Sequence, residues 1–360
     1  MHVVSAADSR RKGQHFLDWL RAQGTQAVVD TGLEWWLGHP RRPIEMSGFP
    51  LVTADHPHPQ LRAHRVGVDP RAVARLQLDH LQAVGYRRCG YLICTGRRHA
   101  VERLRAFREA AQQRGLWDAH GLLDLSTRLR THPWATIEPQ QLAEAGRRLR
   151  ALREPLAICS HNDYAAAALV DWLLLNRFAV PEQVGVIGCD DDPLYSLASL
   201  GLTTVHLPVE EMGMACATII LEALRSAQPL SPTDGLLPPA LVVRGSTVTA
   251  GGPGRWLLAV IEAIQTNLTA KRLGPALRAR TDWTYDTVER RFKRAMGMTL
   301  LAYRDQVRLD RAAELLRQEP RAKIEYACRQ VGFSSPGRFA AAFRARHGVS
   351  PRQFQLATAR

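Results

Sequence analysis

The sequence is poor in cysteine and in aromatic residues. Its 360 residues include 6 cysteines, which form no CxxC pair, and 7% of the residues are aromatic. So few and so scattered cysteines exclude a disulfide-dense secreted scaffold and argue against a zinc site, and they predict buried free thiols. His56, His58 and His64 lie close together, but in a proline-rich stretch without periodic spacing. We expect a surface loop there rather than a metal site.

Long hydrophobic runs are also absent. No stretch approaches the roughly 18 uncharged apolar residues of a membrane span, and the richest segment, 165–175, is interrupted by Asp171. Residues 1–8 show no basic segment followed by an apolar core, so no secretory signal is visible. These features predict a cytoplasmic protein with no membrane partner.

Signatures of catalysis are missing as well. The sequence contains no glycine-rich phosphate loop, no G-x-S-x-G elbow and no helix carrying metal ligands. A DNA-repair alkyl transferase would need an activated cysteine beside basic groups, and no cysteine here has that setting. We therefore expect neither an enzyme nor a bound cofactor or metal.

Positive charge is abundant and unevenly distributed. The chain has 48 Lys and Arg against 34 Asp and Glu, a formal net charge of +14. Residues 251–360 hold 21 of the basic and 9 of the acidic residues, whereas the first 250 hold 27 and 25. A merely solvated surface would spread the excess evenly, so the asymmetry favours a polyanionic partner for the last third of the chain.

The first 250 residues alternate short apolar runs with amphipathic segments. The runs are apolar throughout, as in strands buried on both faces of a parallel sheet, and they alternate with helices in the manner of a doubly wound α/β domain. Predicted strands are 26–30, 65–68, 89–94, 156–159 and 184–188. Predicted helices are 71–84, 101–114, 139–152 and 163–178.

Three polar clusters follow predicted strands, at 96–103, 160–163 and 188–192. Ligands of open α/β sheets bind beyond the carboxyl ends of the strands, and a strand-end carboxylate accepts hydrogen bonds from sugar hydroxyls. Asn162, Asp163 and Asp191 are also good helix N-caps, so the same clusters could serve the fold alone. Residue types leave these two readings about equal.

A Gly- and Pro-rich segment at 249–254 coincides with the change in charge. Such a cluster is typical of a flexible connection. It predicts two domains, 1–250 and 255–360, as the chain length also suggests.

The last third is helical in pattern and contains a repeat. Four residues recur 51 positions later: Val288, Phe292, Gly297 and Thr299 correspond to Phe339, Phe343, Gly348 and Ser350. The apolar pair of each copy buries one face of a helix, and the glycine suits a left-handed C-cap. The copies predict two helix-turn-helix units, at about 273–296 and 324–347.

Local features complete these two units. In the first turn, Asp282 is expected to adopt the left-handed conformation that glycine supplies elsewhere. The helix predicted between the units, 300–319, carries two apolar stripes that would pack against one unit each. The stripes are Leu301, Leu309, Ala312 and Leu316 on one side, and Leu300, Tyr303 and Val307 on the other.

Residues 256–355 resemble the DNA-binding domain of AraC/XylS-type regulators. The motif includes Ile324, Ala327, the Gly-Phe-Ser-Ser-Pro run at 332–336, and Pro351. In that family two recognition helices enter successive major grooves of double-stranded DNA. The resemblance implies DNA-contacting roles for Asp286, Thr287, Glu289, Arg290, Ser335, Gly337, Arg338 and Ala341.

The first 250 residues are similar to the two-lobed ligand domains of LacI/GalR-type regulators and periplasmic sugar-binding proteins. The similarity rests on 186–191, on 202–205 and on an Asn-Asp pair after a strand. It implies that Asp190, Asn162 and Arg103 bind the hydroxyls of a sugar. Residues 1–7 align with the family's second strand, so its first strand and helix are expected to be missing here.

The combination of these domains resembles bacterial regulators of xylose operons. It implies a sugar-responsive activator of pentose catabolic genes that binds operator DNA, a pentose such as D-xylose and RNA polymerase, as a homodimer. The alternative is a DNA-binding regulator whose shortened N-terminal domain only dimerises and binds no ligand.

Overall fold

The computed structural model describes residues 14–31, 50–54, 63–125, 139–152, 154–196, 201–226, 231–248, 255–319 and 321–358. The strands are β1 (Val28–Asp30), β2 (Leu51–Ala54), β3 (His64–Gly67), β4 (Cys89–Ile93), β5 (Trp117–Asp124), β6 (Leu156–Ser160), β7 (Val184–Asp190), β8 (Thr203–His206), β9 (Asp234–Leu236) and β10 (Ala240–Val242). The helices of the α/β part are α1 (Gln14–Ala22), α2 (Pro70–Ala83), α3 (Arg98–Gln113), α4 (Pro139–Arg150), α5 (Asp163–Leu175), α6 (Pro193–Ser196) and α7 (Val209–Arg225). The helical part contains α8 (Arg255–Thr266), α9 (Gly274–Arg278), α10 (Tyr285–Met296), α11 (Leu300–Gln318), α12 (Ile324–Gln330), α13 (Pro336–His347) and α14 (Pro351–Thr358).

The chain forms two compact units. The first, Met1–Asp69 with Pro208–Pro238, contains a parallel sheet of order β1-β2-β3-β9. Helix α7 packs on β2 and β3 of this sheet, which contribute the buried side chains of Leu51, Val52 and Val66. The first unit is therefore a small α/β lobe of its own.

The second unit, Pro70–Leu207 with Pro239–Arg360, contains the other α/β lobe and the helical part of the chain. Its sheet has the order β10-β8-β7-β6-β4-β5 and is parallel except for β10. Strands β4 and β6 are buried at every position, as expected for central strands covered by helices on both faces. The residues of this unit are thus the ones that carry both sets of candidate site residues.

All five predicted strands and all four predicted helices of the α/β part are present. The largest difference at a strand end is two residues, because β1 begins at Val28 and β7 extends to Asp190. The predicted helix 163–178 ends at Leu175, after which Arg177 adopts a positive φ of 60° and turns the chain away. The strands β2, β5, β8, β9 and β10 were not among the predicted strands.

The repeat in the helical part is confirmed at each position. Phe292, Phe339 and Phe343 are fully buried, and both Gly297 and Gly348 end their helices with φ at 72°. Thr299 caps α11 by accepting a hydrogen bond from the Ala302 amide, and Ser350 begins α14 through a reciprocal capping box with Gln353. Two helix-turn-helix units therefore follow one another.

Helix α11 packs between the two helix-turn-helix units, as its apolar stripes predicted, with one exception. Leu309, Ala312 and Leu316 are buried in the core of the second helix-turn-helix unit. On the other side of the helix, Leu300 is buried and Tyr303 contacts Phe292 of the first helix-turn-helix unit. The assignment of Leu301 to a buried stripe was wrong, since its side chain is 49% exposed.

The first turn differs from its expected conformation. Asp282 is not among the described residues with positive φ, so its predicted left-handed conformation was wrong. In the second turn Gly332 does adopt a φ of 85°, and a Cβ there would lie 2.8 Å from the Cα of Thr269. Glycine is required at that position both for the backbone conformation and for the close approach.

Other predictions of the sequence concern connections and thiols. All six cysteines are free and buried. The predicted domain junction at 249–254, the residues 1–7, and His56 and His58 lie outside the described residues. No helix in the described ranges is long and apolar enough to cross a membrane.

Candidate sugar site and nucleic-acid interface

The three predicted polar clusters meet at the carboxyl end of the central strands in the second unit. Arg103 projects from α3, His161 follows β6, and Asp190 ends β7. One guanidinium nitrogen of Arg103 donates to the carbonyl of His161 at 2.8 Å and lies 3.5 Å from a carboxylate oxygen of Asp190. The chain thus brings together residues that are 58 and 87 positions apart in sequence.

Arg103 and Asp190 differ in their exposure to solvent. The arginine is only 6% exposed, whereas the side chain of Asp190 is 40% exposed. A buried guanidinium needs partners for its charge, and the backbone carbonyl and the carboxylate supply them. The pair consequently presents a carboxylate to solvent and fixes its orientation from behind.

Asn162 has a local role that residue types had left open. Its side-chain oxygen accepts a hydrogen bond of 2.9 Å from the amide of Ala165, and so it caps α5. The alternative reading of Asn162 as a helix cap therefore describes its contact. This contact occupies the amide oxygen, so a ligand would meet the amide nitrogen.

Asp163 is a fully buried carboxylate that sequence analysis treated only as a capping residue. It accepts hydrogen bonds from the Thr204 hydroxyl at 2.5 Å and from the Asp192 amide at 2.9 Å. Burial raises the pKa of Asp163, although these hydrogen bonds act in the opposite direction. A Cβ on Gly188 would lie 2.0 Å from this carboxylate, so glycine is required there. Asp163 thus ties β7, β8 and the loop after β7 to the start of α5.

Asp191 is held by two basic side chains rather than by a helix. Its oxygens lie 2.8 Å from Arg244 and 3.5 Å from the ring of His206. Burial alone would raise the pKa of Asp191, but the hydrogen bonds and charges of His206 and Arg244 outweigh burial and lower it. The suggestion that Asp191 caps a helix was wrong, because the adjacent Asp192 accepts the hydrogen bond from Leu194 at the start of α6.

The role of Arg244 was not predicted from the sequence. This arginine donates to Asp191 and, at 2.9 Å, to the carbonyl of Leu202, and its own amide donates to the Thr203 hydroxyl. The segment after β10 carried no motif that had been considered, and only the unusual sequence Arg-Gly-Ser-Thr at 244–247 could have drawn attention to it.

His161 completes the inner layer of the site. It is 1% exposed, and its ring nitrogens face the carbonyl of Leu92 at 3.4 Å and the sulfur of Cys94 at 3.6 Å. Burial lowers the pKa of His161 to about 4, so the ring is neutral near pH 7. Burial likewise raises the pKa of the Cys94 thiol to about 11, which makes this thiol a poor nucleophile.

The arrangement suits recognition of neutral hydroxyl groups. An oriented carboxylate accepts hydrogen bonds from adjacent hydroxyls, and these charge-assisted bonds are stronger than neutral ones. The described residues contain no group of three or more His, Cys, Asp or Glu side chains placed to hold a metal ion. What the strand ends can do chemically is therefore to bind and orient, through hydrogen bonds.

The first predicted recognition helix, α10, presents a polar face. Asp286 and Arg290 are exposed and Thr287 is half-buried. Glu289 is also half-buried, and its carboxylate accepts a hydrogen bond of 3.2 Å from the amide of Leu300 at the start of α11. This contact gives Glu289 a structural partner, with one carboxylate oxygen engaged.

The second predicted recognition helix, α13, exposes all four of its predicted residues, Ser335, Gly337, Arg338 and Ala341. The Ser335 hydroxyl accepts a hydrogen bond from the Arg338 amide at 3.3 Å and thus caps the helix. The side chain of Arg338 is 76% exposed and lies 3.5 Å from Asp305. Because such an exposed ion pair is worth at most about 1 kcal/mol, it leaves Arg338 available to a stronger partner.

The turn of the first helix-turn-helix unit carries an aromatic stack. Trp283 packs against Trp256 of α8 with ring centroids 5.5 Å apart. The guanidinium of Arg291 lies 4.1 Å from the Trp283 ring. Stacking of arginine on tryptophan is favourable, so this turn is fastened to α8 by side chains.

Comparisons with known proteins agree with both halves of this description. Residues 78–247 match the family model of a periplasmic binding protein-like domain, and residues 277–357 match that of a helix-turn-helix domain, which is of the AraC type. The transcription regulator GntR from Chromobacterium violaceum has a similar structure, with a TM-score of 0.53 and 23% identity. That similarity covers 64% of this chain and 82% of the other, and it shows the α/β fold.

Two relatives illustrate the range of the similarity. The HTH-type transcriptional regulator MalR of Streptomyces coelicolor is 31% identical over 213 residues, 58% of this chain and 59% of the relative. The xylose operon regulatory protein of Haemophilus influenzae is 25% identical over 297 residues, 81% of this chain and 74% of the relative. The chain spans 55% to 59% of the length of the first three curated relatives that it matches. The chain thus combines a periplasmic binding protein-like α/β domain with a C-terminal helix-turn-helix domain of the AraC type.

Proposed function

We propose that this protein is a cytoplasmic, sugar-responsive transcription regulator, without enzymatic activity, that activates pentose catabolic genes. It binds operator DNA through its two helix-turn-helix units, binds a pentose such as D-xylose at the strand ends beside Arg103 and Asp190, and acts on RNA polymerase as a homodimer. The observation that carries the proposal is the Arg103–Asp190 pair in a chain that also has two capped, basic recognition helices.

The sugar-binding part rests on the chemistry of three residues. Asp190 offers an exposed carboxylate, Arg103 orients it, and the amide of Asn162 lies beside the same strand ends. Adjacent hydroxyls of a pentose match a carboxylate that accepts two hydrogen bonds. A relative named as a xylose operon regulatory protein supports a pentose as the effector.

The DNA-binding part rests on charge and exposure. Residues 251–360 carry 21 basic and 9 acidic residues, the outward face of α10 is polar, and α13 exposes Arg338. Arg338 suits bidentate recognition of guanine, and the free oxygen of Glu289 suits a cytosine amino group. Asp286, Thr287, Arg290 and Ser335 supply further polar contacts, while Gly337 and Ala341 allow close approach of the backbone to DNA.

A second candidate keeps the DNA-binding role but gives the N-terminal domain only a dimerising one. The observation in its favour is an apolar stripe on α7, where Met214, Leu221 and Leu224 are 46% to 51% exposed. A surface of this kind suits burial against a second copy. The two candidates differ in one measurable property, which is sugar binding.

Calorimetric titration with a panel of pentoses, D-xylose among them, tests the sugar site. We expect the wild-type protein to bind one pentose and Asp190→Ala to weaken that binding about ten- to hundred-fold, since it removes two charge-assisted hydrogen bonds. Asp192→Ala is the matched control, because Asp192 is exposed and only caps α6. Absence of pentose binding by a wild-type dimer that binds DNA would favour the second candidate.

Fluorescence anisotropy with duplex DNA tests the other half. Affinity should fall steeply as salt is raised, because neutralised phosphates release counterions. On an operator found by selection, Arg338→Ala and Glu289→Ala should each relax preference at one base pair, at a cost of about 1–3 kcal/mol. Arg311→Ala, an exposed residue of α11, serves as the control for lost charge alone. Equal losses on all sequences would reject the base-reading roles.

The direction of regulation needs its own measurement, because the relatives include an arabinose metabolism transcriptional repressor. Transcription in vitro with RNA polymerase and the selected operator should rise when the pentose is added. A fall in transcription would replace activation by repression and leave the rest of the proposal standing.

A further inference from the structure

The recognition helix of the first helix-turn-helix unit ends against a helix of the sugar-site lobe. Helix α10 packs on α2, and both belong to the same compact unit. A Cβ on Gly297, the left-handed C-cap of α10, would lie 2.5 Å from a terminal carbon of Leu76 in α2. The end of the recognition helix and α2 are therefore in direct contact, with no space for a side chain between them.

A buried histidine lies in the same contact. His80 of α2 is fully buried, and burial lowers its pKa to about 3, against a smaller opposing effect of the Ala295 backbone in α10. Its Nε2 lies 2.9 Å from the Thr247 hydroxyl. Its Nδ1 has no hydrogen bond of good geometry within the described part of the chain. A neutral, half-satisfied ring of this kind is costly to bury and sensitive to any shift of α10.

A neighbouring residue of α2 is bonded to the sugar-site strand. Gln77, only 1% exposed, donates to the carbonyl of Gly188 at 3.4 Å, two residues before Asp190. The Thr247 hydroxyl beside His80 lies 2.7 Å from that of Thr203, which accepts from the amide of Arg244. Helix α2 thus contacts both the recognition helix and the strand-end network.

A second connection runs through Arg244. This residue binds Asp191, and it lies close enough to Tyr303 of α11 to oppose the rise of the tyrosine pKa to about 12, which burial causes. Tyr303 packs edge-on against Phe292 of α10, with ring centroids 5.5 Å apart. Arg244 therefore binds the carboxylate next to Asp190 and also acts electrostatically on Tyr303, which packs in the core of the first helix-turn-helix unit.

We propose that α2 is the coupling helix of this regulator, and that its Leu76–Gly297 and His80–Ala295 contacts link occupancy of the strand-end site to the position of recognition helix α10. The inference rests on the proposed function, because it assigns the route between the two sites. A ligand shifts a distant site only through differential contacts in two states, and linkage is reciprocal. DNA bound at α10 must then change the stability of α2 and of residues 188–192.

Reciprocity allows a test that needs no sugar. Hydrogen exchange of the full-length protein is measured with and without a 30-base-pair duplex at low salt. In the wild type, DNA should change amide exchange in α2 and in 188–192 by on the order of fivefold or more, the lower end of usual coupling energies. In Leu76→Asp, which places a charge in the contact, the change should disappear while DNA still binds.

Matched variants separate coupling from loss of folding. Gly297→Asn keeps a residue that tolerates the left-handed C-cap but adds bulk against Leu76, and it should behave like Leu76→Asp. Gly348→Asn makes the same change in the second unit, and Leu175→Asp charges a side chain that is 84% exposed. Both controls should keep the wild-type response of α2.

Failure of the coupling role and failure of the proposed function give different results. DNA binding without any change in α2, or a change that persists in both Leu76→Asp and Gly297→Asn, overturns the coupling role. Failure of the wild-type protein to bind duplex DNA at low salt contradicts the proposed function itself, and the coupling role falls with it.

Discussion

The two helix-turn-helix units have the same local architecture and different neighbours. Each has a capped recognition helix that ends in a left-handed glycine, at Gly297 in one and Gly348 in the other. The first rests on α2 through Leu76 and on α8 through the Trp256–Trp283 stack. A repeat of 51 residues therefore produces equal folds but unequal surroundings.

The second helix-turn-helix unit packs against segments that are close to it in the sequence. Phe343 of α13 packs against His347 and Phe354, with ring centroids 4.4 and 5.4 Å apart. Arg346 makes a bidentate contact with Asp310 at 2.6 and 2.8 Å. The difference teaches that one helix-turn-helix unit is positioned by α2 of the α/β lobe, whereas the other is positioned by α11 and the C-terminal helix.

The largest effect is expected when one buried phenylalanine is removed from the core of each helix-turn-helix unit. Phe292→Ala and Phe343→Ala should each lower the free energy of unfolding by about 3–5 kcal/mol, because both rings are fully buried and leave a cavity. Denaturant titration measures the loss of unfolding free energy, and hydrogen exchange shows which helices are destabilised. Phe292→Ala should loosen α2 as well, while Phe343→Ala should loosen only α12, α13 and α14.

The matched pair provides its own control, since the two substitutions remove the same ring from equivalent positions. Loosening of α2 by Phe343→Ala, or its absence in Phe292→Ala, would contradict the assignment of separate neighbours.

Acid should weaken the contact of the first unit selectively. His80 has a folded pKa of about 3 against 6.5 when unfolded, so the unfolded chain binds more protons between these values. Stability present above pH 6.5 is therefore lost as the pH falls, by about 1.4 kcal/mol per unit for each such group. Between pH 6.5 and 4.5, His80→Gln should lose about 2–3 kcal/mol less than the wild type.

The measurement is the slope of unfolding free energy against pH, so a constant cost of His80→Gln does not enter. His161, which has a folded pKa of about 4, contributes a similar slope in both proteins. Equal slopes would mean that His80 is not held neutral in the contact.

The smallest expected effect concerns the caps, where the two units should behave alike. Thr284 accepts from the Thr287 amide and Ser335 from the Arg338 amide, each at 3.3 Å. Thr284→Ala and Ser335→Ala should each cost about 1 kcal/mol of stability by thermal unfolding. A clearly larger cost for Thr284→Ala would show that the first cap also supports the contact with the lobe.

Periodicity predicted most of the fold, because it reports burial directly. Strands such as β4 and β6 are apolar at every position and central in the sheet, and so they were predicted within a residue or two. Strand β5 is exposed at Asp124 and at His120, so its pattern is mixed and gave no clear signal. The exposure of Leu301 likewise depends on how α11 packs against its neighbours, which the periodicity of the helix alone does not indicate.

The candidate site was predictable only in part. Position after a strand was enough to indicate Arg103, Asn162 and Asp190. It could not indicate Arg244, which reaches Asp191 from 53 residues away, because spacing in sequence carries no information about such a contact. The contact of Leu76 with Gly297 has the same character, since the glycine is explained locally by its helix cap.

One backbone feature of β7 has a consequence for attempts to stabilise this protein. Asp190 adopts a φ of 130° and Asp191 one of 61°, and the first lies in a region that residues with a side chain rarely occupy. Glycine at position 190 would relieve this strain, but it would also remove the carboxylate that pairs with the buried Arg103. Variants at this position therefore change backbone strain and the ion pair together, so thermostability and responsiveness would have to be screened together.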